Sequence, residues 1–394
     1  MRHPLSILLT CCMQVAPEVS NGQLTTWVPE PDLPAFAREQ ASSFAIDGVG
    51  YVLGGINGLT SDATNALYAF DPATDTWTAR APHPWEHIWA APVFTLDGLA
   101  YVVGGGSFVS NDREVHVYDP VSDSWSQRAD LPGTGTATRL GWGCSLDGIG
   151  YVCLSSYATA GLRFHAYDPA TDTWTPRADP PAGSGTYGHL LVLNDTIHYI
   201  RDNGAVHAYD PATDQWSPRA SRSVSISDPQ VFILGGMAYT VSGVSAFGPV
   251  DAIHQYDPVA DQWTLLSPFT PLPRAHGFAF TLGNRGFVGG GLGSNPNTVY
   301  YTDMWSTSGL TTGVADDGAS PVADIRMEQG VVLVRPSQPG AYTVEVHTAT
   351  GALVSRRSWS GSELVLPLRD QGQGVYLISV RSETGRSHTR VVIP

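Results

Sequence analysis

The chain contains no lysine: all 21 basic residues among its 394 are arginine. Schiff-base and lysine-nucleophile chemistry are therefore excluded. Cysteine is scarce, at four, and neither a Cys-x-x-Cys pair nor the Cys/His spacing of a structural zinc site occurs. Charge is sparse and one-sided, 14% of residues with 36 acids against the 21 arginines, for a net charge of −15. A nucleic-acid partner is disfavoured, because phosphate binding needs a basic surface. Long hydrophobic runs are also lacking, so no transmembrane span is expected. The short run Leu5 to Met13, behind Arg2 and His3, cannot cross a bilayer but suits an export signal, and residues 1–22 are read as a signal or targeting segment. Thr10 precedes Cys11 where a lipid-anchored precursor prefers Gly, Ala or Ser, which favours cleaved export over lipid anchoring.

What is abundant is turn chemistry, with 42 Gly, 29 Pro and 11 Trp. The octapeptide YDPATDTW at Tyr167 to Trp174 recurs in variants ending at Trp77, Trp125, Trp216 and Trp263, so successive tryptophans differ by 48, 49, 42 and 47 residues. A near-constant period of that length means stacked supersecondary units. Within each copy proline presets φ for a type I turn, the preceding aspartate accepts backbone N–H groups, and the flanking aromatics are strand formers. A tight hairpin turn lies upstream of each of the five copies and once more after the last: Asp47-Gly48, Asp97-Gly98, Asp147-Gly148, Asn194-Asp195, Gly235-Gly236 and Gly283-Asn284. Two hairpins per repeat give four antiparallel strands, and six such units around an axis make a β-propeller over residues 23–312. Trp27 stands in the place of a motif tryptophan with no Tyr-Asp-Pro before it, while Val299 to Thr307 supplies a third strand with no fourth. The N-terminal strand is expected to complete that last unit and close the ring.

The paired glycines Gly54-Gly55, Gly104-Gly105 and Gly290-Gly291, the Tyr-Asp-Pro turns and the spaced tryptophans resemble the kelch-repeat propellers over residues 24 to 310. Leu154-Ser155, Asp202-Asn203 and Ser242-Gly243 depart from the paired glycines, making those three units less regular. From residue 313 the tryptophan motif is gone and eight arginines balance eight acids, yet alternation such as Tyr342-Val344-Val346 against Thr343-Glu345-His347 reads as a half-buried sheet. Residues 313–394 are accordingly read as a small β-sandwich. The stretch YTVEVHTATGALVSRR, then Gly374 to Val380 and a closing Arg390 to Ile393, resembles the C-terminal sorting domain of the Bacteroidota type IX secretion system. That resemblance implies the secretion machinery as a partner of residues 313–394 and a secreted or cell-surface, outer-membrane-associated location.

The aspartate pairs Asp71/Asp75, Asp119/Asp123, Asp168/Asp172, Asp210/Asp214 and Asp257/Asp261 read as turn formers, and no metal site or cofactor is expected. Cys144 and Cys153 lie diagonally across one hairpin, a placement that suits two buried thiols better than a disulfide. His116, His165, His207 and His254 occupy third strands, each three residues before the motif aspartate, which indicates a packing role. Counting back from the hairpin turns, Arg38, Gln40, His87, Trp89, Arg139, Tyr187, His189, Asp228, Arg274 and His276 converge at the mouth of the central channel as candidate ligand-binding residues. Arginine there suits carboxylates and the aromatics suit sugar rings, although inter-blade hydrogen bonding is the competing use of the same side chains. The expected function is recognition of a protein or glycan by propeller loops and channel. The kelch resemblance also implies an alternative, a sialic-acid-type mutarotase with Arg139, Asp228, Arg274 and His276 as acid–base candidates; a structural adhesion protein is a third reading.

Overall fold

The computed structural model describes residues 27–307, apart from 58, 61, 107–112, 134–137, 157–160, 182–186 and 295–297, and residues 323–393, apart from 329–330, 337–339, 349–352, 368–373 and 383–384. The targeting segment expected over residues 1–22 lies outside them. Regular structure among the described residues is entirely β, and the chain divides into two compact units, Met1–Thr312 and Gly313–Pro394.

The first unit is a six-bladed propeller of four-stranded antiparallel sheets. Blade 1 runs Ser42–Ile46, Val49–Leu53, Leu67–Asp71 and Thr76–Arg80, and blades 2 to 5 repeat that order, beginning at Val93, Thr138, Gly188 and Gln230. The first strands of neighbouring blades touch all the way round, which makes them the strands that line the axis. Blade 6 has Phe278–Leu282, Arg285–Gly289 and Met304–Thr307 in sequence, and its outermost strand is Trp27–Glu30, paired antiparallel from Trp27↔Thr307 to Glu30↔Met304. The propeller's two ends thus share one sheet. Glu30 is locked there by Arg285 and by the Ser306 hydroxyl, which donates to it at 2.6 Å.

Local chemistry explains the elements. Asp47, Asp97, Asp147, Asn194 and Asp195 all hold φ near +50°, as the inner hairpin turns require, whereas in blade 6 only Gly283 is left-handed and Asn284 is not. Where paired left-handed glycines follow the second strand it stops, at Leu53 in blade 1 and Val103 in blade 2; Leu154-Ser155 lack that punctuation and the strand runs on to Ser156. Hydrophobic clusters lie between blades, each drawing on two neighbours, and the blades approach so closely that a Cβ on Gly150 would sit 2.2 Å from the Phe94 ring.

The motif supplies a repeated clamp across those seams. Its first aspartate caps its own turn, as when the Ala170 N–H donates to Asp168 at 2.9 Å. The second reaches the neighbouring blade. Asp172 Oδ1 accepts from the Tyr167 hydroxyl at 2.7 Å and from the Ala129 N–H at 2.9 Å, while Trp174 Nε1 donates to the Ala129 carbonyl at 2.9 Å. Asp123 and Trp125 hold Ala81 likewise, Asp214 and Trp216 hold Ala178, and Asp261 and Trp263 hold Ala220. At blade 1 half of the clamp is missing: Trp77 donates to the carbonyl of Pro31, which has no N–H, and Phe70 replaces the tyrosine, so Asp75 has neither donor.

The second unit packs a three-stranded sheet (Ala323–Glu328, Val331–Pro336, Leu364–Pro367) and a four-stranded one (Leu353–Trp359, Tyr342–Thr348, Gly374–Ser382, Gly385–Ile393) around one core. Val332, Val334 and Leu366 meet Tyr342, Val344, Val346, Ile378 and Val380 inside this sandwich. Cys144 and Cys153 of the propeller are free, in register with Tyr151 and Trp142 respectively, and burial pushes both thiols well above their ordinary value.

Asp172→Ala removes an acceptor shared by two donors, whereas Asp75→Ala removes none, and both positions carry the same left-handed strain, φ +50° and +53°. Urea denaturation should show Asp172→Ala losing about 2 kcal/mol more than Asp75→Ala; equal losses would contradict the clamp.

Candidate functional site

The linkers entering the blades pass one end of the axis. There Glu39 pairs with Ile56, Trp89 with Gly106, Ser227 with Val244 and Ala275 with Leu292, so these four positions are equivalent in blades 1, 2, 5 and 6. The residue after each is left-handed although none is glycine: Gln40, Ala90, Asp228 and His276 have φ of +56°, +49°, +51° and +55°. Such backbone costs on the order of 1 kcal/mol per residue and persists only where neighbours fix it. Here a relay fixes it. The His276 N–H donates to the Asp228 carbonyl at 3.1 Å, the Gln40 N–H to the His276 carbonyl at 2.8 Å, and the Ala90 N–H to the Gln40 carbonyl at 2.7 Å.

That relay brings polar side chains together. His276 Nε2 lies 3.4 Å from Asp228 Oδ2, with 27% and 31% of the two side chains exposed. The Tyr300 hydroxyl donates to Glu39 at 3.3 Å, and Asp202 accepts the Asp228 N–H at 3.0 Å. Burial raises the carboxyl groups of Glu39 and Asp228, against the opposing pull of His276. Asp202 is raised from 3.8 to about 7, first by burial and then by the Asp228 charge. The arrangement can accept hydrogen bonds, hold a proton between a carboxylate and an imidazole, and pass one from neighbour to neighbour.

The sequence candidates separate into distinct groups. Gln40, Asp228 and His276 stand on the relay, joined by Glu39 and Asp202, which sequence reasoning missed. Glu39 lies between two residues it picked, and Asp202 is a carboxylate where three other blades have glycine. Arg38 and Arg274 are fully buried and turned into the fold: each Nε donates to the carbonyl two residues before it, and each NH1 to the first carbonyl of a glycine pair, Gly54 or Gly290. Arg274 also grips Asp303 with both terminal nitrogens, at 2.6 and 2.9 Å. His87 Nδ1 meets the Ala63 carbonyl at 3.0 Å, and the Trp89 indole lies against Gly106. Tyr187 and His189 gather around Trp142 in blades 3 and 4, ring centroids 6.3 and 6.2 Å away, and burial with the Arg222 charge lowers His189 to about 3. Arg139 is the second residue of the inner strand of blade 3; its side chain lies outside the described residues. Among the described residues no three His, Cys, Asp or Glu side chains are placed to hold a metal ion.

A family model for the Kelch motif matches residues 37–84 and 90–132. Kelch-like protein 35 of Mus musculus is 32% identical over 113 residues, 28% of this chain and 19% of that protein. An N-acetylneuraminate epimerase of Shigella flexneri serotype 5b (strain 8401) is 36% identical over 83 residues, 20% of this chain and 22% of the epimerase. The chain thus spans about a fifth of the length of these relatives. A fungal alcohol oxidase of the AA5 family, solved in complex with copper, superposes with a TM-score of 0.55 over 95% of this chain and 100% of its own; at 15% identity the likeness is one of fold.

Raised acids and lowered bases bias folding in opposite directions with pH. Asp202 contributes stability that is present below its unfolded value and lost as pH rises through its folded one. The stability of Asp202→Asn relative to the unaltered protein should therefore grow between pH 3.8 and about 7, measured by urea denaturation at each pH. A difference independent of pH would show Asp202 to be an ordinary carboxylate.

Proposed function

We propose that this kelch-repeat propeller is an exported recognition module that binds a glycan at its axial mouth. The observation that carries the reading is the Asp228–His276 pair, about one-third exposed, 3.4 Å apart and held on fixed left-handed backbone beside Glu39. Sugar hydroxyls both donate and accept; carboxylates meet the first need and an imidazole can meet the second. A rigid backbone keeps the ordering cost of binding low. Charge also bears on the ligand. Arg222 and Arg274 are buried and bonded within the fold, while the mouth carries carboxylates, so a neutral or amino sugar fits this mouth better than an acidic one. Export rests on the pattern of the tail, whose folded sandwich suits a sorting domain read by the type IX machinery.

A second reading is favoured by the same pair together with the epimerase likeness: a proton shuttle between Asp228 and His276 would serve a mutarotase. Arg274 is unsuitable for testing it. Removing that guanidinium leaves Asp303 unpaired, at a cost of about 3–5 kcal/mol for a buried pair, so lost turnover would report lost fold.

Protein recovered from the host's medium or surface tests the proposal as a whole. Intact mass should show the tail removed and the N-terminus trimmed, and the same material should bind neutral or amino glycans on an array. Asp228→Asn with His276→Ala should weaken that binding at least tenfold without lowering the thermal midpoint, which corresponds to about 1.4 kcal/mol. Unchanged glycan binding in the double variant would exclude the mouth; sugar anomerisation by the unaltered protein alone would establish the enzyme reading.

A further inference from the structure

Blades 1 and 6 hold the same arginine in the same way but differ in what faces it. The first glycine of each pair donates its N–H to the residue just before the third strand: Gly290 to the carbonyl of Asp303 and Gly54 to that of Ala66, each at 3.0 Å. Asp303 and Ala66 are therefore equivalent positions, as are Arg274 and Arg38. In blade 6 the guanidinium fork of Arg274 closes on the Asp303 carboxylate, which also accepts from Trp305 Nε1 at 2.7 Å. In blade 1 that carboxylate is replaced by a methyl group. Arg38 is only 1% exposed, and its NH2 has no hydrogen-bond partner.

The direction of that unused nitrogen follows from planarity. Nε and NH1 of Arg38 are tied to the Phe36 and Gly54 carbonyls at 3.2 and 2.9 Å, the counterparts of the two carbonyls that hold Arg274. A rigid planar fork with two nitrogens fixed has its third fixed as well. NH2 of Arg38 therefore points to where a carboxylate stands in blade 6, over the half-buried Ala66. An uncompensated buried guanidinium is costly, and burial lowers Arg38 to about 10.

From this unpartnered nitrogen we infer that the position over Ala66 is a binding slot for the carboxylate of a ligand, gripped by Arg38. The inference rests on Arg38 and Ala66 and stands whether or not a glycan binds at the axial mouth. Phe36, 38% exposed and with its ring 4.7 Å from the guanidinium carbon, flanks the slot and is the side chain an entering carboxylate moves. The Tyr68 ring, 5.9 Å from the same carbon, takes the place that Trp305 has beside Asp303.

Acetate is the probe, titrated against the thermal midpoint of the whole chain, with sodium chloride keeping ionic strength constant. The midpoint of the unaltered protein should rise saturably by a few degrees. Ala66→Asp, which supplies the missing carboxylate, should raise the midpoint without acetate and abolish the acetate-dependent rise. No response of the unaltered protein, an equal response in Ala66→Asp, or a lower midpoint in that variant overturns the inference. Should Ala66→Asp fail to fold, Arg38→Met serves in its place: acetate must lose its effect, and a persisting effect overturns the slot. Glucuronate forms a second arm. Saturation at lower concentration than acetate identifies a sugar acid as the carrier, and saturation at the same concentration identifies a slot that reads the carboxylate alone.

Discussion

The structure depends on a clamp made by two side chains of one octapeptide. An aspartate and a tryptophan two residues apart take the N–H and the C=O of a single residue on the neighbouring blade, and a tyrosine from the strand before steadies the aspartate. Each blade buries its apolar face only against its neighbours, so the ring holds when every seam holds. The clamp is worth more than a surface hydrogen bond because its three partners fix one another's geometry. Where the chain closes on itself the partners change together: proline removes the donor, and phenylalanine removes the hydroxyl that would have served the same aspartate.

Because the seams are secured at the outer strands, the axial end can carry strain and unsatisfied polarity. Four non-glycine residues stay left-handed there, linked head to tail through backbone bonds, and the buried Asp202 stands behind Glu39 and a partly exposed Asp228–His276 pair. The same residue type thus does opposite work at two radii. Aspartates of the motif are held below the ordinary carboxylate range by hydrogen bonds that favour their charge, and axial carboxyl groups are raised by burial that penalises it. The arginines show a similar division, since Arg274 closes a complete ion pair and Arg38 keeps the same pose with its acid missing.

The strand count, the inner turns and the six repeats were legible because they are local: a turn shows itself within four residues and a repeat within fifty. The clamp was not, because Asp172 and its Ala129 donor are 43 residues apart in sequence. Counting back from the turns found Gln40, Asp228 and His276, since register propagates along a strand. It could not tell which way a side chain faces, so it did not show that Arg38 and Arg274 are buried and bonded to the carbonyls of the glycine pairs. Asp202 was noticed as a departure from a glycine pair and its significance passed over, for nothing in the sequence shows that Asp228 comes back to within hydrogen-bonding distance of it.

The division between rim and axis is tested most directly by following the carboxyl carbons of the aspartates by NMR as pH is varied. Asp123, Asp172 and Asp214 should titrate below 3.8, held down by the hydrogen bonds of the clamp, and Asp202 near 7. Titration of all four together in the ordinary carboxylate range would contradict the account, leaving the clamp without its charge and the axial mouth without its poised acids.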